Sequence, residues 1–189
     1  MIKRIKVPRV LAQLGFSIVA LVGARADTLT LKPSAMGTVV VARHYYGMIN
    51  QLWAGKLTPS VIDWDGQLSA WVYSGIAEFD LTSLPAGANV RQATISLRGI
   101  GGDFPCQLSQ FIGDGKVSYA DLSLGLVFAT TLHGGAGTWQ ADSSLFVAEA
   151  VKNHKAFVGY RVNCPQFQVA KFSTALADAP TLTLTYTKS

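Results

Sequence analysis

The sequence predicts an all-β protein, a jelly-roll β-sandwich with one short helix. Three observations predict it. Short runs alternate apolar and polar residues along most of the chain, and many are rich in Val, Ile, Thr and aromatic residues. A single segment carries helical periodicity. Glycine and proline, 18 and 7 in number, punctuate the runs as turns rather than clustering into a linker. One short helix among many short strands indicates two sheets packed on each other.

The first 26 residues read as a secretory signal. Lys3, Arg4, Lys6 and Arg9 form a basic start, Val10 to Ala24 is mostly apolar, and Ala24-Arg25-Ala26 has the small-x-small form of a cleavage site before Asp27. The alternative is an uncleaved anchor, but the apolar run is shorter than the ~20 residues a spanning helix needs. Residues 27–189 are then expected to form one domain free of the membrane, secreted to the extracellular space or the periplasm. Five of the 16 Lys and Arg lie in the segment and none of the 11 Asp and Glu, so the remainder carries 11 of each and is neutral. A neutral domain offers no bulk charge for nucleic acid.

In the remaining chain the elements follow in order. "DTLTLKP" places Leu29 and Leu31 on one face, and "TVVVARHYY" is a continuous apolar run, expected of a strand covered on both sides. "GIAEFDL" sets Ala77, Phe79 and Leu81 against Glu78 and Asp80. "ATISLRG" sets Ala93, Ile95 and Leu97 against Thr94, Ser96 and Arg98. "AFVGYRV" and "VAKFSTA" are further strand candidates. "TLTLTYT" sets Leu182, Leu184 and Tyr186 against four threonines. "DSSLFVAEAVKNHKA" is the helix: Asp142 or Ser143 caps it, Phe146, Val147, Ala150 and Val151 share a face, and His154 and Lys155 suit its C-terminal end. Between two strands, Leu84-Pro85-Ala86-Gly87 has turn chemistry. The connector is too long for a tight hairpin, so it predicts a chain that leaves one sheet and joins the other, with Leu84 folded back as a plug.

"AEFDLTSLPAGANVRQATISL" resembles the signature of the DNRLRE-domain proteins, a group related to disaggregatase-related repeats and to alginate-binding carbohydrate-binding modules. Phe79, Asp80, Leu81, Leu84, Pro85, Gly87, Ala88, Val90, Ala93, Thr94 and Leu97 occupy the places of the family pattern. "GTWQADSSLFVAEAVKNHKAFVGYRV" and "KFSTALADAPTLTLTY" are similar to its later blocks, and together the blocks cover about half of the chain after the signal. The resemblance implies a jelly-roll sandwich with an extracellular, non-catalytic, binding or structural role. The chain departs from the pattern where "GDGKVSYADL" replaces a Trp-Asn element, and where no acidic residue directly follows Ser173 in the closing block.

Enzymatic signals are weak. "LHGGAG" has the look of an oxyanion loop, but no Gly-x-Ser-x-Gly elbow accompanies it. The two glutamates, Glu78 and Glu149, show no basis for pairing as glycosidase acid and base. Asp63 and Asp65 in "DWDG" are spaced as at the start of a calcium loop, or simply form a surface turn. Beyond this possible structural calcium no cofactor is expected. Cys106 and Cys164 form an even pair, expected to bond in an oxidising compartment, the alternative being two thiols.

The functional signal is aromatic. Tyr45, Tyr46, Trp53, Trp64 and Trp71 fall within 27 residues, with His44 and Lys56 among them. Flat rings stack on sugar faces while polar neighbours bind hydroxyls or carboxylates, though such rings also fill sandwich cores. Trp64, between Asp63 and Asp65, is expected in an exposed loop. The expectation is a non-catalytic module whose partner is a polysaccharide or cell-surface glycan. The alternative is a structural or adhesive surface protein acting through protein contacts, including self-association.

Overall fold

The computed structural model describes residues 25–44, 47–54, 60–64, 69–101, 106–124, 128–132, 136–163, 171–175 and 177–188. They form an all-β sandwich with one α-helix, as the alternation predicts. The signal segment lies almost wholly outside the described residues. No helix among them is long and apolar enough to cross a membrane.

The smaller sheet is built on β6 (Ala88–Gly101). β12 (Thr181–Lys188) pairs with its first part and β11 (Lys171–Phe172) with its end, while β9 (Gly137–Asp142) runs along the opposite edge. β1 (Ala26–Leu31) closes the β12 side. The larger sheet runs β3 (Gly47–Ala54), β2 (Ala35–His44), β5 (Ser69–Asp80), β10 (Phe157–Asn163), β7 (Cys106–Ile112), β8 (Phe128–Leu132), and β4 (Ser60–Trp64) adds to the early half of β5. Every pairing among the described residues is antiparallel. The candidate strand "VAKFSTA" shrinks to β11, whose register shifts between Lys171 and Phe172.

Alternation decides which side chains meet between the sheets. Ala93, Ile95 and Leu97 of β6 and Leu182 and Leu184 of β12 face Ala77 and Phe79 of β5 and Val158, Tyr160 and Val162 of β10, all buried. Edge-to-face ring pairs lock this core: Phe79 with Tyr160 at 5.7 Å and Trp139 with Phe172 at 4.9 Å. Cys106 opens β7 fully buried in the same core. No free cysteine occurs among the described residues, and Cys164 lies outside them.

The connector behaves as its residues dictate. β5 and β6 belong to different sheets, so the segment between them crosses from one to the other. Asp80 Oδ1 accepts from the Thr82 amide at 2.7 Å, and the Ala88 amide donates to the Pro85 carbonyl at 3.1 Å. Gly87 takes φ 74°, the left-handed value this turn needs and glycine adopts without a Cβ clash. Leu84 packs back on the core.

The helix α1 (Ser144–Lys152) buries Phe146, Val147 and Ala150 against β6. Of the two expected caps, Ser143 holds the N-cap position, but its hydroxyl is diverted to Tyr160 Oη at 2.6 Å. Asp142 supplies the side-chain cap: its Oδ1 accepts from the Ser144 amide at 3.1 Å and from the Ser144 hydroxyl. His154 ends the helix with φ 54°.

On the outer face of the larger sheet, opposite Ala77 and Phe79, Glu78 is fully buried. The reason is residues 113–124, which fold back over this face and include a 3₁₀ turn, Tyr119–Leu122. Val117, Tyr119 and Leu122 pack on a second apolar cluster of Val39, Ile76 and Phe111. The continuous apolar run of β2 is thereby explained, since Val39 and Val40 point to opposite faces and both are buried.

Candidate functional site

Strand register brings together the sequence candidates that lie in described strands. His44 of β2 stands opposite Ser69 of β5, and Ser69 stands opposite Trp64 of β4. Residues directly opposite share a face, and so do residues two apart along a strand. Trp71, two along from Ser69, therefore falls on that face. Trp53 of β3 is opposite Thr38, which is opposite Gly75, four along from Trp71, so it falls there too. The positions of His44, Trp53, Trp64 and Trp71 thus occupy one face of the β3-β2-β5-β4 layer, the face that farther along β5 carries Ala77 and Phe79 into the core. Trp64 and Trp71 are diagonal neighbours on paired strands, a relation that spans roughly 7–8 Å.

Two corrections follow from the same register. Trp64 is not in a loop but ends β4, a five-residue strand, "SVIDW", whose Val, Ile and Trp favour the extended pleat. Asp63, opposite Ala70, falls on the other face from the tryptophan positions. Tyr45, Tyr46, Lys56 and Asp65, with the His133-Gly134-Gly135 stretch, lie outside the described residues. Among the described residues no three His, Cys, Asp or Glu side chains are close enough to hold a metal ion. Asp27, another carboxylate near a sheet edge, is paired with Lys188 at 3.4 Å.

A second cluster, which sequence reasoning missed, lies beneath residues 113–124. Glu78 Oε2 accepts from the Gly115 amide at 2.6 Å, while Glu78 Oε1 has no partner. Gly113 leaves the room the carboxyl occupies, since a Cβ there would collide with it. Burial, reinforced by the nearby Asp121 and Asp114 carboxylates, pushes the Glu78 carboxyl up to about 7. Asp121 is itself buried and raised, and its Oδ2 accepts from the Ser118 amide at 2.6 Å in a capping box. Arg161 of β10 donates from Nη1 to the Asp121 carbonyl at 2.8 Å, and its Nε lacks a partner. Ser109 Oγ and Tyr119 Oη are buried and unpartnered on the same side. The signals that mark this segment in the sequence are Gly113-x-Gly115 and Ser118-x-x-Asp121, a close-approach pair followed by a capping pattern.

The chain matches no family model, and no curated protein matches it.

The two glutamates have separate surroundings. Glu149 sits on the exposed side of α1 beside Lys152, at 3.8 Å. Glu78 is enclosed under its cover.

Proposed function

We propose that this chain is a secreted, non-catalytic jelly-roll module of the DNRLRE kind, extracellular or periplasmic, that binds polysaccharide or a cell-surface glycan. One observation carries the reading: register gathers the positions of His44, Trp53, Trp64 and Trp71 on one face of the β3-β2-β5-β4 layer, continuous with the core-facing Ala77 and Phe79, so the reading requires that the smaller sheet leave this end of the layer open. Adjacent tryptophans on a pleated surface form a platform for successive sugar rings, and an imidazole at its border suits hydroxyls or a carboxylate. Binding of this kind uses stacking and hydrogen bonds and requires no cofactor. The crossing connector at Leu84–Gly87 and the pinned first and last strands support the jelly-roll reading. The proposed bridge between Cys106 and Cys164 would tie the start of β7 to the segment after β10; its support is the complete burial of Cys106 and the lack of any free cysteine among the described residues. Intact mass of the purified, non-reduced protein checks it: the bridged form is two hydrogens lighter than the reduced one.

The test of the binding site is retention on immobilised polysaccharides. Trp64→Ala and Trp71→Ala are each expected to reduce retention of the bound class by tenfold or more, while Gln140→Ala, on the smaller sheet, leaves it unchanged. Equal retention by all variants places the binding elsewhere.

A further inference from the structure

We infer that residues 113–124 are a pH-operated cover on the outer face of the larger sheet, latched shut through Glu78 when that carboxyl is protonated and loosened when it ionises. The inference is independent of the glycan reading, because it concerns the opposite face of the sheet.

The geometry of the latch is specific. Glu78 stands in mid-sheet, opposite Ala35 of β2 and Gly159 of β10, and neither offers it a polar side chain. It meets the cover at the Gly115 amide, which donates to its Oε2 at 2.6 Å; that bond by itself favours the carboxylate, and burial outweighs it. The cover fits only because it is glycine at both ends of that contact. Gly113 gives space to the carboxyl, and Gly115, with φ 85°, lies so close to the Phe157 ring that a Cβ would reach it at 2.8 Å. Held this way, the cover shields Val39, Ile76 and Phe111, all at most 1% exposed.

The charges around Glu78 favour its neutral form. Asp114 and Asp121 approach from the cover and raise its affinity for a proton. Asp80 lies on the same face two residues along β5, and Lys116 of the cover is exposed. Arg161 is a buried cation on this face, but its Nη1 is committed to the Asp121 carbonyl, and no ion pair to Glu78 occurs among the described residues. From β2 and β7 the neighbouring outer-face residues, Gly37, Val39, Ser109 and Phe111, carry no charge. An ionised Glu78 would therefore place a second negative charge beside Asp121 with an unpartnered oxygen in a dry site. Lifting the cover admits water to it.

A carboxyl titrating near 7 when covered and near 4.5 when open loosens the cover as pH rises between those values, and the effect levels off above 7. The test is amide hydrogen exchange on the full chain, with rates divided by their intrinsic values. From pH 5 to pH 8 the opening constant of amides in 113–124, Gly115 and Ser118 above all, is expected to rise on the order of a hundredfold. Amides of β12, such as Leu184, stay protected. Glu78→Gln, an uncharged shape match, holds the cover closed at both pH values. Gly113→Ala, which crowds the carboxyl, opens it at both. A wild-type profile that is flat with pH overturns the inference whether or not the variants fold. So does a rise in exchange that Glu78→Gln shares, or one that β12 shows equally.

Discussion

The Gly115 amide donates to Glu78 Oε2 at 2.6 Å, joining the covering segment to the middle of the larger sheet. That single bond leaves Glu78 Oε1 without a partner in a fully buried carboxyl. Stability is therefore expected to fall as the solvent becomes less acidic. Glu78 is raised from 4.5 to about 7, so the folded state holds a proton that the unfolded chain releases across this window. The contribution is fully favourable below about 4.5, is lost as pH rises through about 7, and amounts to roughly 3 kcal/mol. Urea denaturation at pH 5 and pH 8 measures it. Glu78→Gln should abolish most of the difference and be the more stable protein at pH 8.

Gly159 and Phe111 stand opposite each other on β10 and β7, and the Phe111 ring fills the space where a Cβ on Gly159 would be. Gly159→Ala is expected to destabilise the protein by about 1–3 kcal/mol through overpacking, since the ring is 1% exposed and has nowhere to move. A shift in the urea midpoint without a change in slope is the expected signature.

Ser143 and Tyr160 share a buried hydroxyl pair at 2.6 Å that ties the start of α1 to the core. Burial pushes the Tyr160 phenol well above its usual range. Tyr160→Phe leaves the Ser143 hydroxyl unpartnered and should cost about 1–3 kcal/mol. Adding Ser143→Ala should cost less than the sum of the two single changes. A double-mutant cycle reads this coupling, and strict additivity would show that the two hydroxyls do not act as a pair.

On the tryptophan face, the separations of the positions predict a chain-length effect. Trp64 and Trp71 are diagonal neighbours, whereas Trp53 lies two strands and four residues from Trp71, roughly 16 Å by standard sheet spacings. Trp53→Ala is expected to weaken binding of long glycans and to leave short oligosaccharides unaffected. Trp64→Ala should weaken both. Titration with oligosaccharides of increasing length checks the difference.

Much of the fold was legible because its signals are local. The alternation in "GIAEFDL", "ATISLRG" and "TLTLTYT" marks the inner faces of β5, β6 and β12, and the Pro85–Gly87 turn marks the crossing between sheets. The apolar run in β2 correctly foretold burial on both sides. What covers its outer side was not legible, because "GDGKVSYADL" carries no periodicity and its role depends on contacts with Glu78 and Phe111, distant in sequence. The aspartates flanking Trp64 suggest a loop, whereas pairing with β5 draws it into a strand. The shared face of the tryptophans follows only from register, which no short-range pattern specifies.

The most direct measurement is binding of the purified protein to a glycan array, with and without calcium. The account predicts calcium-independent binding to one class of polysaccharide, lost in Trp64→Ala. An array blank for the wild-type protein, or binding that Trp64→Ala and Trp71→Ala leave intact, contradicts it.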